Sequence, residues 1–193
     1  MESESNRKLA VVFPGMGYNT YGPLLYYSGK LAKAVGYELM LDIEYHDLPQ
    51  KIRGDLKLMQ EAALKAYECV EAQHSGIDWS AYERILFIGK SIGTVVAAKY
   101  NQEHKIGAKQ IWYTPVEATF KYAEGTIEVF IGDADPWSDI EKVKELAASS
   151  GIPLHIYPGC NHSLESGDIL SDIRTLSDVM EKTRKYIRKD VLN

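Results

Sequence analysis

Short runs of aliphatic and β-branched residues alternate with longer amphipathic stretches along most of the chain. Six runs have strand length: Leu9 to Phe13, Tyr37 to Ile43, Ile85 to Ile88, Lys109 to Tyr113, Ile127 to Ile131 and Leu154 to Tyr157. Several are apolar at successive rather than alternate positions, so both faces of the strand need cover, which predicts a parallel sheet between two helical layers. Leu56, Met59, Ala63, Ala66 and Val70 recur at helical spacing and predict one buried stripe; Ile169, Ile173, Leu176, Met180 and Ile187 predict another. Helical stretches over Leu24 to Val35, Gly93 to Glu103 and Ser138 to Ala148 complete the alternation. The predicted fold is therefore α/β, a three-layer α/β/α sandwich around a mainly parallel sheet of about six strands. In such a sheet, ligands and catalytic groups gather just beyond the carboxyl ends of the strands.

A chain of 193 residues that is 45% hydrophobic is long enough for a full core and predicts a single domain over 1–193, with 1–7 a flexible polar lead-in. The net charge of -5 and the lack of a basic cluster interleaved with aromatics argue against a nucleic-acid partner. Met1 to Lys8 has no apolar segment of the export-signal kind, and no run approaches bilayer length. The expectation is a soluble, cytoplasmic protein with no membrane partner. Two cysteines, Cys69 and Cys160, make no disulfide framework and suit a reducing compartment. Cys160 and His162 form one Cys-x-His pair without a second, short of a zinc ligand set, so no metal and no other cofactor is expected.

Against this frame one pentapeptide carries chemistry: Gly89, Lys90, Ser91, Ile92, Gly93, placed between a predicted strand and a predicted helix. A G-x-S-x-G turn there forces the serine into a cramped backbone conformation, tolerable only when its neighbours lack bulk, and leaves the hydroxyl exposed above the sheet. A serine hydroxyl needs a base to attack near neutral pH. Of the five histidines, His74 and His104 fall at predicted helix C-termini, where the dipole gives an imidazolium a structural reason to sit. His155 lies inside the last strand, and His46 sits in a turn with Glu44 and Asp47. His162 alone follows the final strand, in a loop punctuated by Pro158 and Gly159.

Two carboxylates, Asp133 and Asp135, follow the fifth strand. Asp135 before Pro136 has the form of a helix cap, but Ser138 and Glu141 make a competing capping box that would release it. The order Ser, Asp, His along the chain is the one expected of a serine hydrolase on a parallel sheet. A tetrahedral oxyanion needs donors; the Ile92 amide follows the serine directly, and the loop Pro14, Gly15, Met16, Gly17, Tyr18 after the first strand offers the Met16 amide, with Gly17 the next choice.

Tyr18, Tyr21, Tyr26 and Tyr27 cluster after that loop, and tyrosine suits a partly wet pocket. Gly17, Tyr18 and Lys90 are candidates for substrate contact, Lys90 toward an anionic group, although lysines at such positions are usually solvent-facing. Two look-alikes fall away. Gly89, Lys90, Ser91 mimics the end of a phosphate-binding loop, but Arg84 stands where its first glycine belongs, and Thr20 stands where a dinucleotide fingerprint beginning at Gly15 needs its third glycine.

From Lys8 onward the chain resembles a small member of the α/β-hydrolase superfamily. The likeness rests on the Pro14 to Gly17 loop at the place of the oxyanion motif, on Gly89 to Gly93 as nucleophile elbow, on Gly132 to Asp135 as acid loop and on Asn161, His162, Ser163 as histidine loop. It implies that Ser91, Asp135 and His162 act as a catalytic triad, with Met16 and Ile92 as the oxyanion hole. The implied activity is hydrolysis of an acyl ester or thioester of a small molecule; acyl transfer by the same triad and a non-catalytic scaffold are the alternatives. The chain departs from the full family pattern in lacking its two leading strands, in carrying Pro14 where many members have histidine, and in having no room for a helical cap between the fourth and fifth strands.

Overall fold

The computed structural model describes residues 7–189, so the lead-in expected over 1–7 lies outside the described residues except for exposed Arg7. Six strands, β1 (Lys8–Phe13), β2 (Leu39–Asp42), β3 (Arg84–Lys90), β4 (Lys109–Tyr113), β5 (Ile127–Gly132) and β6 (Leu154–Tyr157), form one sheet in the order β2-β1-β3-β4-β5-β6. Every neighbouring pair is parallel. Among the described residues four α-helices lie between strands, α1 (Pro23–Ala34), α2 (Leu56–His74), α3 (Ile92–Glu103) and α4 (Ile140–Ser149), and α5 (Ile169–Arg188) follows β6.

Because side chains alternate along a strand, each strand feeds two cores. Ala10, Val12, Leu86, Ile88, Ile111 and Phe130 face α1 and α5. Leu9, Val11, Phe13 and Phe87 face α2 and α3, and Trp112, Val129 and Ile131 continue that layer toward α4. On the α1/α5 side the buried Tyr113 hydroxyl lies 2.8 Å from Ser28 Oγ on α1 and 2.6 Å from Thr183 Oγ1 on α5, so the three hydroxyls satisfy one another.

The structure corrects the sequence-based elements in four places. β2 is shorter than Tyr37 to Ile43 because Gly36, at φ +95°, turns the chain and the Tyr37 amide donates back to Ala32 O, so Tyr37 closes α1 instead of entering the sheet. The helix predicted from Ser138 begins at Ile140; Asp139 caps it by accepting from the Glu141 and Lys142 amides, while the Ser138 hydroxyl donates to Pro115 O at 3.0 Å. In α2 the row that meets the sheet is Ala62, Ala66, Val70, and Leu56 is exposed. In α5 Ile169 and Ile173 are exposed and burial begins at Val179. Periodicity shows which face of a helix is apolar, but not how far along the helix its neighbours reach. Among the described residues no helix is long and apolar enough to cross a membrane.

Candidate active site

The chain runs outward from β1 to β2 and then back past β1 to β3, so the connections after β1 and β3 leave the sheet in opposite directions. That reversal opens a crevice at the carboxyl ends of β1 and β3, which is where Ser91 lies. Ser91 joins β3 to α3 with φ 55° and ψ -124°, a region that non-glycine residues occupy only when their surroundings force them. The forcing contact is visible at Gly93, where a Cβ would sit 2.2 Å from Phe13 O. Only a glycine lets α3 start this close to the end of β1. The turn is pinned by Thr94, whose amide and hydroxyl both donate to Ser91 O.

Three strand ends bring Ser91, His162 and Asp135 together. The Ser91 hydroxyl donates to His162 Nε2 at 2.7 Å. On the other side of the ring, Nδ1 lies 2.7 Å from Asp135 Oδ2 and 2.9 Å from Oδ1. An ionised carboxylate only accepts, so the proton resides on Nδ1 and leaves Nε2 free to take one from the serine. The Asp135 side chain is fully buried, and its Oδ1 also accepts the Trp137 amide at 2.9 Å.

Asp133, the other acid after β5, is exposed and accepts the Gly159 amide at 2.6 Å, tying the histidine loop to the acid loop. The same two loops are joined through Ala134 N–H to Cys160 O. They cross so closely at Gly132 that a Cβ there would lie 2.0 Å from the Cys160 oxygen.

The loop after β1 packs directly on the elbow: a Cβ on Gly15 would lie 3.3 Å from Ser91 Cβ. Gly15 and Tyr18 exchange backbone hydrogen bonds of 3.0 and 3.3 Å, closing a tight turn around Met16 and Gly17. Among the described residues the Met16 amide has no protein acceptor. The Ile92 amide opens α3 and belongs to the first turn, whose N–H groups lack helical acceptors. Neither amide is thus committed to a protein acceptor among the described residues.

Burial is the main influence on His162 and holds its pKa below the ordinary 6.5; the hydrogen bond to Asp135 opposes this, while the positive charges of Lys90 and Arg53 add to it. Trp137 packs on the imidazole at 5.6 Å between ring centres, and Arg53 lies 5.8 Å from the Trp137 ring centre. A cleft of about 1160 Å³ opens beside the site, lined by Pro14 to Tyr21, by the long loop after β2 from Asp42 to Arg53, and by Trp137. Gly17, Tyr18 and Tyr21 thus border the cleft, whereas Tyr26 and Tyr27 stack edge-on against one another on the exposed face of α1.

Lys90 departs from its expected place. It is 1% exposed, so it is not solvent-facing. The contribution of Trp137 and of the Asp42 to Arg53 loop was missed from sequence; the only signal was a tryptophan two positions after Asp135. Of the remaining histidines, His104 meets Glu71 at 2.5 Å, His155 meets Glu128 at 2.6 Å and His74 ends α2, while His46 is exposed on the loop after β2 and borders the cleft.

No protein-family model and no curated protein matches the chain. Solved structures do. The chain is similar to Est1E from Butyrivibrio proteoclasticus, solved with ferulic acid bound, at 12% identity and TM-score 0.69 over 100% of this chain and 92% of that one. It is similar to an α/β serine hydrolase without a lid from Xanthomonas campestris at 14% identity and TM-score 0.63, over 96% and 83% of the two chains. It is also similar to an esterase from Pyrococcus furiosus at 12% identity and TM-score 0.60, over 96% and 84%. The chain has the α/β-hydrolase fold in a minimal, six-stranded form.

Proposed function

We propose that the protein is a serine hydrolase that cleaves an acyl ester or thioester of a small molecule through an acyl-enzyme, with Ser91, His162 and Asp135 as its triad. The observation that carries this reading is the unbroken hydrogen-bonded line from Ser91 Oγ through both ring nitrogens of His162 to the buried Asp135 carboxylate. Nothing in packing requires a serine hydroxyl at a strained, glycine-flanked turn to meet an imidazole so aligned.

In the proposed reaction His162 Nε2 takes the Ser91 proton as Oγ attacks the acyl carbonyl, and Asp135 stabilises the resulting imidazolium. The Met16 and Ile92 amides bind the oxyanion. Collapse of the intermediate expels the alcohol or thiol with the proton held by His162, and water then attacks the acyl-enzyme with His162 again as base. The β4 to β5 connection carries only a short 3-10 turn, Glu117–Tyr122, so no helical cap stands over the cleft from that side. The aromatic lining of Tyr18, Tyr21, Tyr45 and Trp137 suits flat acyl groups, and the Butyrivibrio neighbour was solved with an aromatic acid bound.

Labelling with a fluorophosphonate probe, followed by peptide mapping, tests the nucleophile. The adduct is expected on Ser91, and Ser91→Ala is expected to abolish it and to lower turnover of p-nitrophenyl esters by about a thousandfold or more. Full labelling of the Ser91→Ala protein would overturn the assignment.

A further inference from the structure

The imidazole of His162 is held at its two nitrogens. Ser91 Oγ lies 2.7 Å from Nε2 and Asp135 Oδ2 lies 2.7 Å from Nδ1, so the hydrogen bonds pin the ring along the line through those atoms. Both bonds survive a rocking of the ring about that line. Only a contact against the flat side of the imidazole opposes such motion.

Trp137 makes that contact. Its ring centre is 5.6 Å from that of His162 with the planes 33° apart, within the range in which aromatic pairs attract. The same residue lines the cleft, so the indole is both a wall of the cleft and a cover for an imidazole whose side chain is only 18% exposed. The indole is itself held. The Trp137 amide donates to Asp135 Oδ1 at 2.9 Å, the Ser138 hydroxyl donates to Pro115 O at 3.0 Å, and the Asp139 amide donates to Glu117 Oε1 at 2.6 Å. The segment that carries the indole is thereby tied to the acid at one end and to the chain after β4 at the other. Arg53, next to buried Ile52 on the loop after β2, lies over the indole at 5.8 Å from its centre.

We propose that Trp137 is a positioning residue of the triad: its indole packs against the flat side of His162, stops the imidazole rocking out of line between Ser91 and Asp135, and keeps cleft water off it. The proposal rests on the serine-hydrolase reading for its catalytic meaning, and its direct readout is the imidazole itself. Burial is the main influence on the His162 pKa and lowers it; Asp135 on the acid loop raises it, while Lys90 on β3 and Arg53 on the loop after β2 lower it. The indole is uncharged cover, so its removal weakens the burial and leaves those three charged groups in the chain. Protonation of the ring becomes easier.

The test compares the wild type with Trp137→Phe, which keeps an aromatic ring, and Trp137→Ala, which does not, with His162→Gln to assign the imidazole resonances. In the wild type, NMR is expected to show nuclear Overhauser contacts between the His162 ring protons and the indole protons, and a His162 titration below 6.5. In Trp137→Ala the titration is expected to move up toward 6.5, and kcat for p-nitrophenyl acetate to fall about tenfold or more. Trp137→Phe is expected to restore most of both. An indole that only touches substrate gives a different split: KM rises for aromatic acyl esters, while kcat for p-nitrophenyl acetate and the His162 titration stay where they were. That result overturns the proposal. So does a Trp137→Phe protein no better than Trp137→Ala, and so does a wild type without the Overhauser contacts, which needs no variant to fold. Failure of the hydrolase reading appears separately, as absent fluorophosphonate labelling in a protein whose His162 titration still responds to Trp137→Ala.

Discussion

Ser91 and His162 illustrate how a fold changes the chemistry of ordinary side chains. The strained backbone at Ser91 is paid for by contacts among Gly93, Phe13 and Thr94, and it aims the hydroxyl along the imidazole. His162 is buried enough that its neutral form is favoured. In the proposed reaction the neutral imidazole is the base, so lowering its pKa extends activity toward acid. The acid limb of kcat/KM for an uncharged p-nitrophenyl ester should therefore have its midpoint below the ordinary 6.5, a direction set by burial and reinforced by Lys90 and Arg53. A midpoint above that value would mean that Asp135 outweighs burial. At this scale the sequence was most informative where geometry demands one residue type: the glycines of the elbow and the histidine after the last strand. The choice between Asp133 and Asp135 was not legible in the residues alone, because both follow β5 and only the crossing of two loops decides which one meets the ring.

Among the elements, strands were more legible than helix faces. Each strand carries its own burial signal, as in Ile127–Gly132, whereas the exposed Leu56, Ile169 and Ile173 share the spacing of residues that are buried. Whether an apolar helical position is covered depends on where the sheet ends, which is a property of other elements. The loop from Asp42 to Arg53 was illegible for a related reason: it has no period, and its place beside the cleft follows from the position of β2 at the sheet edge. The acid and histidine loops behave as one unit, bonded through Asp133, Ala134, Gly159 and Cys160 and crossing at Gly132. Gly132→Ala should push Cys160 away, costing about 1–3 kcal/mol in urea unfolding as overpacking does. Ester turnover should fall with it while Ser91 itself remains in place. A variant as stable and as active as the wild type would show that the loops can separate freely.

For the whole molecule, the deciding feature is one parallel sheet whose order reverses between β1 and β3. The alternation of apolar runs revealed the sheet and its two helical layers, but strand order, and hence the position of the crevice, depends on long-range pairing that no local pattern encodes. The three catalytic candidates hang from the ends of β3, β5 and β6, so their meeting depends on the complete sheet rather than on any local segment. The turn between α3 and β4, with exposed Lys105 and Gly107, lies at the opposite end of the strands. Cutting the chain there divides it into 1–105, which carries Ser91, and 106–193, which carries Asp135 and His162. Neither fragment alone should react with fluorophosphonate, and mixing them should restore labelling to the extent that β3 and β4 zip together. If the labelling behaves so, the division supplies a split reporter, in which a chemical signal appears only when two halves have found each other.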